Sequence, residues 1–277
     1  MKIGSEDHKE LFCGSFMESH WQYEPAELPW PELDDDYLER LRSIPFWDEA
    51  LRTELEAGEA VSEFADTQHD PLVREAIALQ GKEEARHARL LQFMIERYGI
   101  PATPLPLRRF DPNLRKNFIY FGYGECLDAF GAFGLFELAR QAAYMPEAFF
   151  AIFDRVLDEE ARHIVFFINW MVYQQVRSGR GVPSRAVTAV WNYAKVLRHL
   201  IAVIRDAGNE NESFATTGGK AFMMDLTPRI LLETSLKENE RRMANFHGKL
   251  LRPRLMPAIA RVALTGVKLI PHRRRTA

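Results

Sequence analysis

The sequence predicts an all-α protein built around a four-helix bundle, with two helical hairpins joined by a long crossover and further helices added after them. Three observations carry that expectation. Apolar residues recur at a 3.6-residue period over long stretches, and strand-like alternation is scarce. The pentapeptide Glu-Glu-Ala-Arg-His occurs twice, at Glu83–His87 and at Glu159–His163. Each copy follows a proline, Pro71 or Pro146, at nearly the same distance, as two related hairpins would.

Residues 1–44 are rich in Pro and Trp (Trp21, Pro25, Pro29, Trp30, Pro31) and read as an irregular arm wrapping the domain. A first helix is expected from about Pro45 to Ala65. Asp70-Pro71 supplies an N-cap followed by proline at the first helical position, which starts a second helix running to Tyr98 and stopping at Gly99-Ile100-Pro101. Pro101 to Pro112 contains four prolines and predicts an extended connection long enough to cross the end of a bundle. A third helix is expected over Leu114–Ala143, and Met145-Pro146 turns the chain into a fourth that ends near Gly179. Pro183–Ala207 predicts a fifth helix, and Gly208–Gly219 a loop. Thr227-Pro228 caps a sixth helix reaching about Leu250. The expected organisation is therefore an arm (1–44), a helical domain with two added helices (45–250) and a basic amphipathic tail (251–277).

With 277 residues, 47% of them hydrophobic and 27% charged, the chain can bury a sizeable core. Its net charge is −3, yet Arg241–Ala277 contains no Asp or Glu, so the rest is markedly acidic. Two cysteines, Cys13 and Cys126, exclude a disulfide framework and a four-thiolate zinc or iron–sulfur site. The N-terminus is too polar and acidic for a signal peptide, and no apolar run has the length of a membrane span, so a cytoplasmic location is the default expectation.

Each pentapeptide contains a Glu-x-x-His pair, Glu84/His87 and Glu160/His163. Residues three apart share a helix face, so each pair can offer an oxygen and a nitrogen to one metal ion. Dinuclear carboxylate bundles combine two such pairs with one Glu from each of two other helices. Carboxylates neutralise closely spaced cations and shift between terminal and bridging modes; imidazoles complete the coordination. In the first helix the inward stripe runs through Trp47, Leu51, Glu54, Gly58, Val61 and Ala65, and Glu54 is its charged member. Glu49, Glu56, Glu59 and Glu63 lie at other angles or heights, where solvent is the expected environment. The third helix offers Glu125, Asp128 and Glu137; depth from the Met145-Pro146 turn points to about residues 127–130, and Glu125, close to that level and longer in reach than the nearer Asp128, is preferred, with Glu137 and then Asp128 as alternatives. The expected metal ligands are Glu54, Glu84, His87, Glu125, Glu160 and His163. The second pentapeptide lies among Ile152, Phe153, Val156, Leu157 and Ile164–Phe167, where an unpartnered Glu and His would cost several kcal/mol.

On these residues the stretch from about Pro45 to Gly179 resembles the ferritin-like di-iron carboxylate superfamily, which includes rubrerythrins, acyl-carrier-protein desaturases, bacterial multicomponent monooxygenases and the small subunit of class I ribonucleotide reductase. The resemblance implies two iron ions, with manganese or a mixed pair as alternatives, and O₂ or peroxide chemistry. It also implies that Glu83 and Glu159 accept hydrogen bonds from ligand histidines across the bundle, with Arg86 and Arg162 balancing their charge. Ten phenylalanines between Phe118 and Phe167, with Gly122, Gly124, Gly131 and Gly134, suggest an apolar pocket beside the metals and hence an oxidase or oxygenase acting on a small apolar molecule. The competing expectations are an iron-handling ferroxidase and a rubrerythrin-like peroxide scavenger.

No Cys-x-x-Cys module or Gly-rich nucleotide fingerprint is present, so electrons are expected from an external reductase or ferredoxin. His199 is a further candidate nitrogen ligand, and Tyr120 and Tyr123 are candidate radical carriers. The basic tail suits a peripheral membrane surface or an acidic carrier protein, while no nucleic-acid module accompanies its charge. A homodimer is compatible with this organisation.

Overall fold

The computed structural model describes the backbone of residues 1–108, 110–207 and 227–269, with side chains described for 1–108, 110–198 and 227–268. Among the described residues there are nine α-helices, one short 3-10 turn and no strand. The helices are α1 (Glu6–Glu18), α2 (Asp35–Ser43), α3 (Trp47–Asp66), α4 (Pro71–Tyr98), α5 (Leu114–Gln141), α6 (Glu147–Arg177), α7 (Val182–Ala207), α8 (Pro228–Met243) and α9 (Leu255–Leu269).

Helices α3 and α4 form one hairpin and α5 and α6 another; α3 also packs on α5 and α4 on α6, so the four surround a common interior. The hairpins are built by recognisable local chemistry. Asp70 accepts hydrogen bonds from the Leu72 and Val73 amides at 3.0 and 3.2 Å, with Pro71 in the first turn, while Gly99 closes α4 at φ +59°. A side chain at Gly58 would press on the Ala85 backbone and one at Gly81 on Ser62, so these glycines let α3 and α4 approach closely. The crossover contains no helix among its described residues and is tied to α3: the Thr103 amide bonds Asp48 at 2.7 Å, and Arg108 bonds Glu56 through both backbone and guanidinium. Glu56 is therefore buried and paired, contrary to the solvated environment expected for it.

Three sequence expectations are corrected. The N-terminal arm is not irregular, because α1 and α2 lie within it. Helix α1 buries His8, Phe12, Cys13 and Phe16 on one stripe against α6 and α4. His8 bonds Asn169 across 3.0 Å, and Asn169 in turn receives the Leu251 amide. The sixth expected helix ends at Met243 rather than Leu250, because the Arg252 guanidinium gathers the Met243, Phe246, His247 and Leu250 carbonyls into a tight turn. The third ends at Gln141, where Ala143 leaves helical geometry at φ +50°. The expected loop at Gly208–Gly219 and the end of the tail lie outside the described residues.

Most of the phenylalanines are core. Phe118, Phe133, Phe166 and Phe167 are fully buried, Phe64 stacks on Phe118, and Trp170 packs edge-on against both. Their abundance is explained by packing these helices together rather than by walling a pocket.

Candidate metal centre

All six expected ligands converge between α3, α4, α5 and α6. Ligand-capable atoms of Glu54, Glu84, His87 and Glu160 lie within 4.8 Å of one another, and so do those of Glu84, Glu125 and His163. Glu84 belongs to both groups. Its Oε2 lies 3.7 Å from His87 Nδ1 and its Oε1 2.9 Å from His163 Nδ1. Glu160 does the same from the opposite hairpin, with Oε1 3.1 Å from His87 Nδ1 and Oε2 3.7 Å from His163 Nδ1. Glu54 faces His87 alone at 3.6 Å, and Glu125 faces His163 alone at 3.8 Å. Two carboxylates thus span both halves and one closes each end. Among the alternatives on α5, Glu137 is engaged with Arg140 and Gln141, and Asp128 falls outside both groups. The side chain of His199 lies outside the described residues.

The residues preceding each Glu-x-x-His pair orient the histidines crosswise. His87 Nε2 meets Glu159 at 2.8 Å, and Arg86 bonds the same carboxylate at 2.5 Å. His163 Nε2 meets Glu83 at 2.8 Å, and Arg162 bonds Glu83 at 2.9 Å. Each carboxylate on one hairpin therefore fixes the histidine on the other, with its charge balanced by an arginine. A His ring held at Nε2 presents Nδ1 inward as a lone-pair donor.

Sequence reasoning missed the outer partners, which come largely from the arm. His20 Nδ1 lies 2.5 Å from Glu83, and Tyr23 donates to Glu159 at 3.2 Å. Arg162 is anchored by Ser19 and the Phe16 carbonyl, and Arg86 lies over the Tyr23 ring. Gln80 is also missed. It donates to Glu84 at 3.3 Å and Glu125 at 3.4 Å from one turn before Glu84, and that i, i+4 spacing to an expected ligand was the available signal.

The electrostatics fit cations. Both Nδ1 atoms are buried without a hydrogen bond, although carboxylate oxygens stand nearby. Burial opposes ionisation of Glu84, yet the two histidines hold its carboxyl well below the usual range. Burial, reinforced by Glu84 and Glu160, pushes Glu54 up to about 7. Burial and the charge on Glu84 push Glu125 well up too. Burial would lower both imidazoles, but the surrounding carboxylates hold them well above their usual value. Burial would raise Glu83 as well; His163 and Arg162 reverse this and bring it to about 2. The inner shell thus has four carboxylates whose repulsion must be relieved, by protons or by positive ions, and two divalent ions supply four charges. Oxygen donors with imidazole nitrogen suit zinc, iron or manganese rather than soft copper(I).

Access is one-sided. The side chains of Glu54 and Glu160 are 24% and 16% exposed, while those of Glu84 and both histidines are 2% or less. On α5, a side chain at Gly124 or Gly131 would meet nothing within 4 Å, and solvent-exposed Asp128 lies on the same helix face between them. Gly122 and Gly134 do not leave room there as expected, because Phe167 and Ser235 fill the space at their α-carbons. A separate cavity of about 530 Å³, lined by His20, Tyr23, Lys82, Arg86 and Arg89 among others, lies behind the histidines. It is separated from the inner carboxylates by the Glu83 and Glu159 pairs. Compared with known proteins, the chain matches no family model, no curated protein and no solved structure.

Proposed function

We propose that this chain is a dinuclear iron oxidoreductase of ferritin-like bundle architecture that uses O₂ or peroxide on a small, apolar organic molecule. The observation that carries the reading is the pair of spanning carboxylates: Glu84 and Glu160 each present one oxygen to each buried histidine Nδ1. Such a donor set would hold two cations, whereas one ion would leave half of the donors idle.

Glu54, His87, Glu84, Glu160, Glu125 and His163 would hold the two ions. Bound iron would supply a redox pair able to activate O₂ or peroxide. The chain's own residues would do the rest. Glu83 and Glu159 keep both imidazoles aimed inward, and Phe16 packs against the His163 ring. Glu54 and Glu160 border the opening, and the α5 face with Gly124 and Gly131 leaves space beside them for a substrate. Asp128, exposed near that opening, offers a carboxyl that can give or take a proton. Reducing equivalents would come from an external reductase or ferredoxin.

The test is anaerobic titration with ferrous iron. Two equivalents should bind tightly, followed by O₂ consumption, and Glu84→Ala or Glu160→Ala should abolish the paired stoichiometry. Retention of fewer than one equivalent, unchanged in both variants, would overturn the dinuclear reading. Accumulation of iron far beyond two equivalents would instead mark an iron-handling protein.

A further inference from the structure

Helix α7 turns one side to α5 and leaves the other bare. Tyr193 and Val196 are buried, with Tyr193 edge-on to Tyr123 at 5.0 Å. On the opposite side Val187, Val190, Trp191, Ala194 and Leu197 form a continuous outward stripe at helical spacing; the four large ones are 47–69% exposed. An isolated surface leucine needs no explanation, but a two-turn apolar stripe containing a tryptophan does.

The charges that this helix itself carries along the stripe are of one sign. From Arg180 to Arg205 the chain carries five Lys and Arg residues and no Asp or Glu. Lys195 and Arg198 are exposed beside Trp191 and Leu197. Helix α9, which also packs on α5, repeats the theme: Ile259 and Val262 are exposed, Arg254 and Arg261 lie among them, and no acidic residue occurs after Glu240. A symmetric pairing of α7 with α7 of a second copy would set cation against cation along the stripe. Nor does α7 look like a span, because no helix among the described residues is long and apolar enough to cross a membrane.

We propose that the outward face of α7 docks on an anionic lipid bilayer, lying in the interface plane with Val187, Val190, Trp191 and Leu197 inserted below the headgroups and Lys195 and Arg198 paired with lipid phosphates. An apolar face flanked by cations is the physical signature of an interfacial helix: buried apolar area supplies part of the binding and headgroup charge the rest. Tryptophan suits that position because its ring is apolar and its indole N–H finds a partner at the headgroup level. Docking of this kind needs neither metal ion nor turnover, so it stands or falls separately from the di-iron reading.

The experiment is vesicle co-sedimentation of the full chain, with and without iron. Vesicles of phosphatidylcholine alone are compared with an equal mixture of phosphatidylcholine and phosphatidylglycerol. Wild type should sediment with the mixed vesicles only, and high salt should release it. Val187→Glu/Val190→Glu and Lys195→Glu/Arg198→Glu should each weaken binding by more than about tenfold while keeping wild-type helicity and melting temperature. Lipid binding should shift the tryptophan emission to the blue, and Trp191→Phe should remove most of that shift. Wild-type binding by both charge-introducing variants would overturn the proposal, as would indifference to phosphatidylglycerol. Two other results would also overturn it: a solution dimer dissolved by Val190→Glu would give the face to a second copy, and binding to soluble polyglutamate without vesicle binding would give it to an acidic protein.

Discussion

The two halves of the candidate metal centre carry the same pentapeptide and almost the same inner geometry, yet they stand in different surroundings. In the half closed by Glu54, that carboxylate is 24% exposed and no neighbouring amide holds it. In the half closed by Glu125, the carboxylate is buried and Gln80 donates to it. The outer shells differ as well. Glu83, behind His163, has His20 and an Arg162 anchored to α1; Glu159, behind His87, has Tyr23 and an Arg86 lying on its ring. The same side chains thus form a more exposed half, which we propose receives an incoming molecule, and a buried half, which we propose holds a metal. Sequence repetition sets the donor atoms, and the elements packed around each copy distinguish the two halves.

The largest test of this comparison is to remove the two supporting carboxylates in turn. Glu83→Ala leaves buried Arg162 without its carboxylate and the His163 ring without its Nε2 partner, so stability should fall by about 3–5 kcal/mol. Metal affinity at the closed half should fall by about 10–100-fold. Glu159→Ala should cost less stability, because Arg86 keeps a second carboxylate, Glu83, at 4.0 Å, whereas among the described residues Arg162 pairs with no carboxylate but Glu83. Denaturant melts and metal titrations of both variants check the order. Equal losses would mean that the arm does not distinguish the halves.

The same contrast explains what the sequence revealed. The inner shell was legible because it is periodic. Two Glu-x-x-His pairs and a stripe through Glu54 are readable from helix geometry, and depth from the Met145-Pro146 turn selected Glu125 over Glu137. The crossed pairs of Glu83 and Glu159 were legible only through resemblance. The outer partners were not, because contact between His20 and Glu83 joins segments 63 residues apart. Helix α1 was hidden by its composition: its buried stripe includes His8 and Cys13, and its exposed face reads like a polar terminus. The glycines of α5 show a limit of a different kind. A sequence announces a missing side chain but not whether Phe167, Ser235 or open space takes its place.

A second test uses protons. Metal must displace the proton that Glu54 holds below about 7. Apparent affinity of the open half for ferrous iron should therefore weaken as pH falls below about 7, by up to about tenfold per unit for one displaced proton, and level off above it. Stability should move in the opposite sense. Because the folded value of Glu54 is raised above its ordinary 4.5, its protonated form stabilises the metal-free fold below about 4.5, and that contribution disappears as pH rises through about 7. Glu54→Gln should remove this step while the closed half keeps its own pH response. Calorimetric titration in buffers of different ionisation enthalpy would count the protons released, and an unchanged step in the variant would assign it to another group.

The smallest expected effect is the most local. A Cβ added at Gly131 would face open space, whereas one added at Gly134, three residues later on the same helix, would fall closer to Ser235 than van der Waals contact allows. Gly131→Ala should therefore stabilise the protein by about 0.5–1 kcal/mol through helix propensity alone. Gly134→Ala should destabilise it despite the same intrinsic gain, because the new methyl group must displace the α8 backbone at Ser235. Melting temperatures moving in opposite directions would confirm that the α5 face beside the open half is unfilled. A loss of stability in Gly131→Ala would mean that something already occupies that space, and the argument that a substrate reaches Glu54 and Glu160 along this face would fail with it.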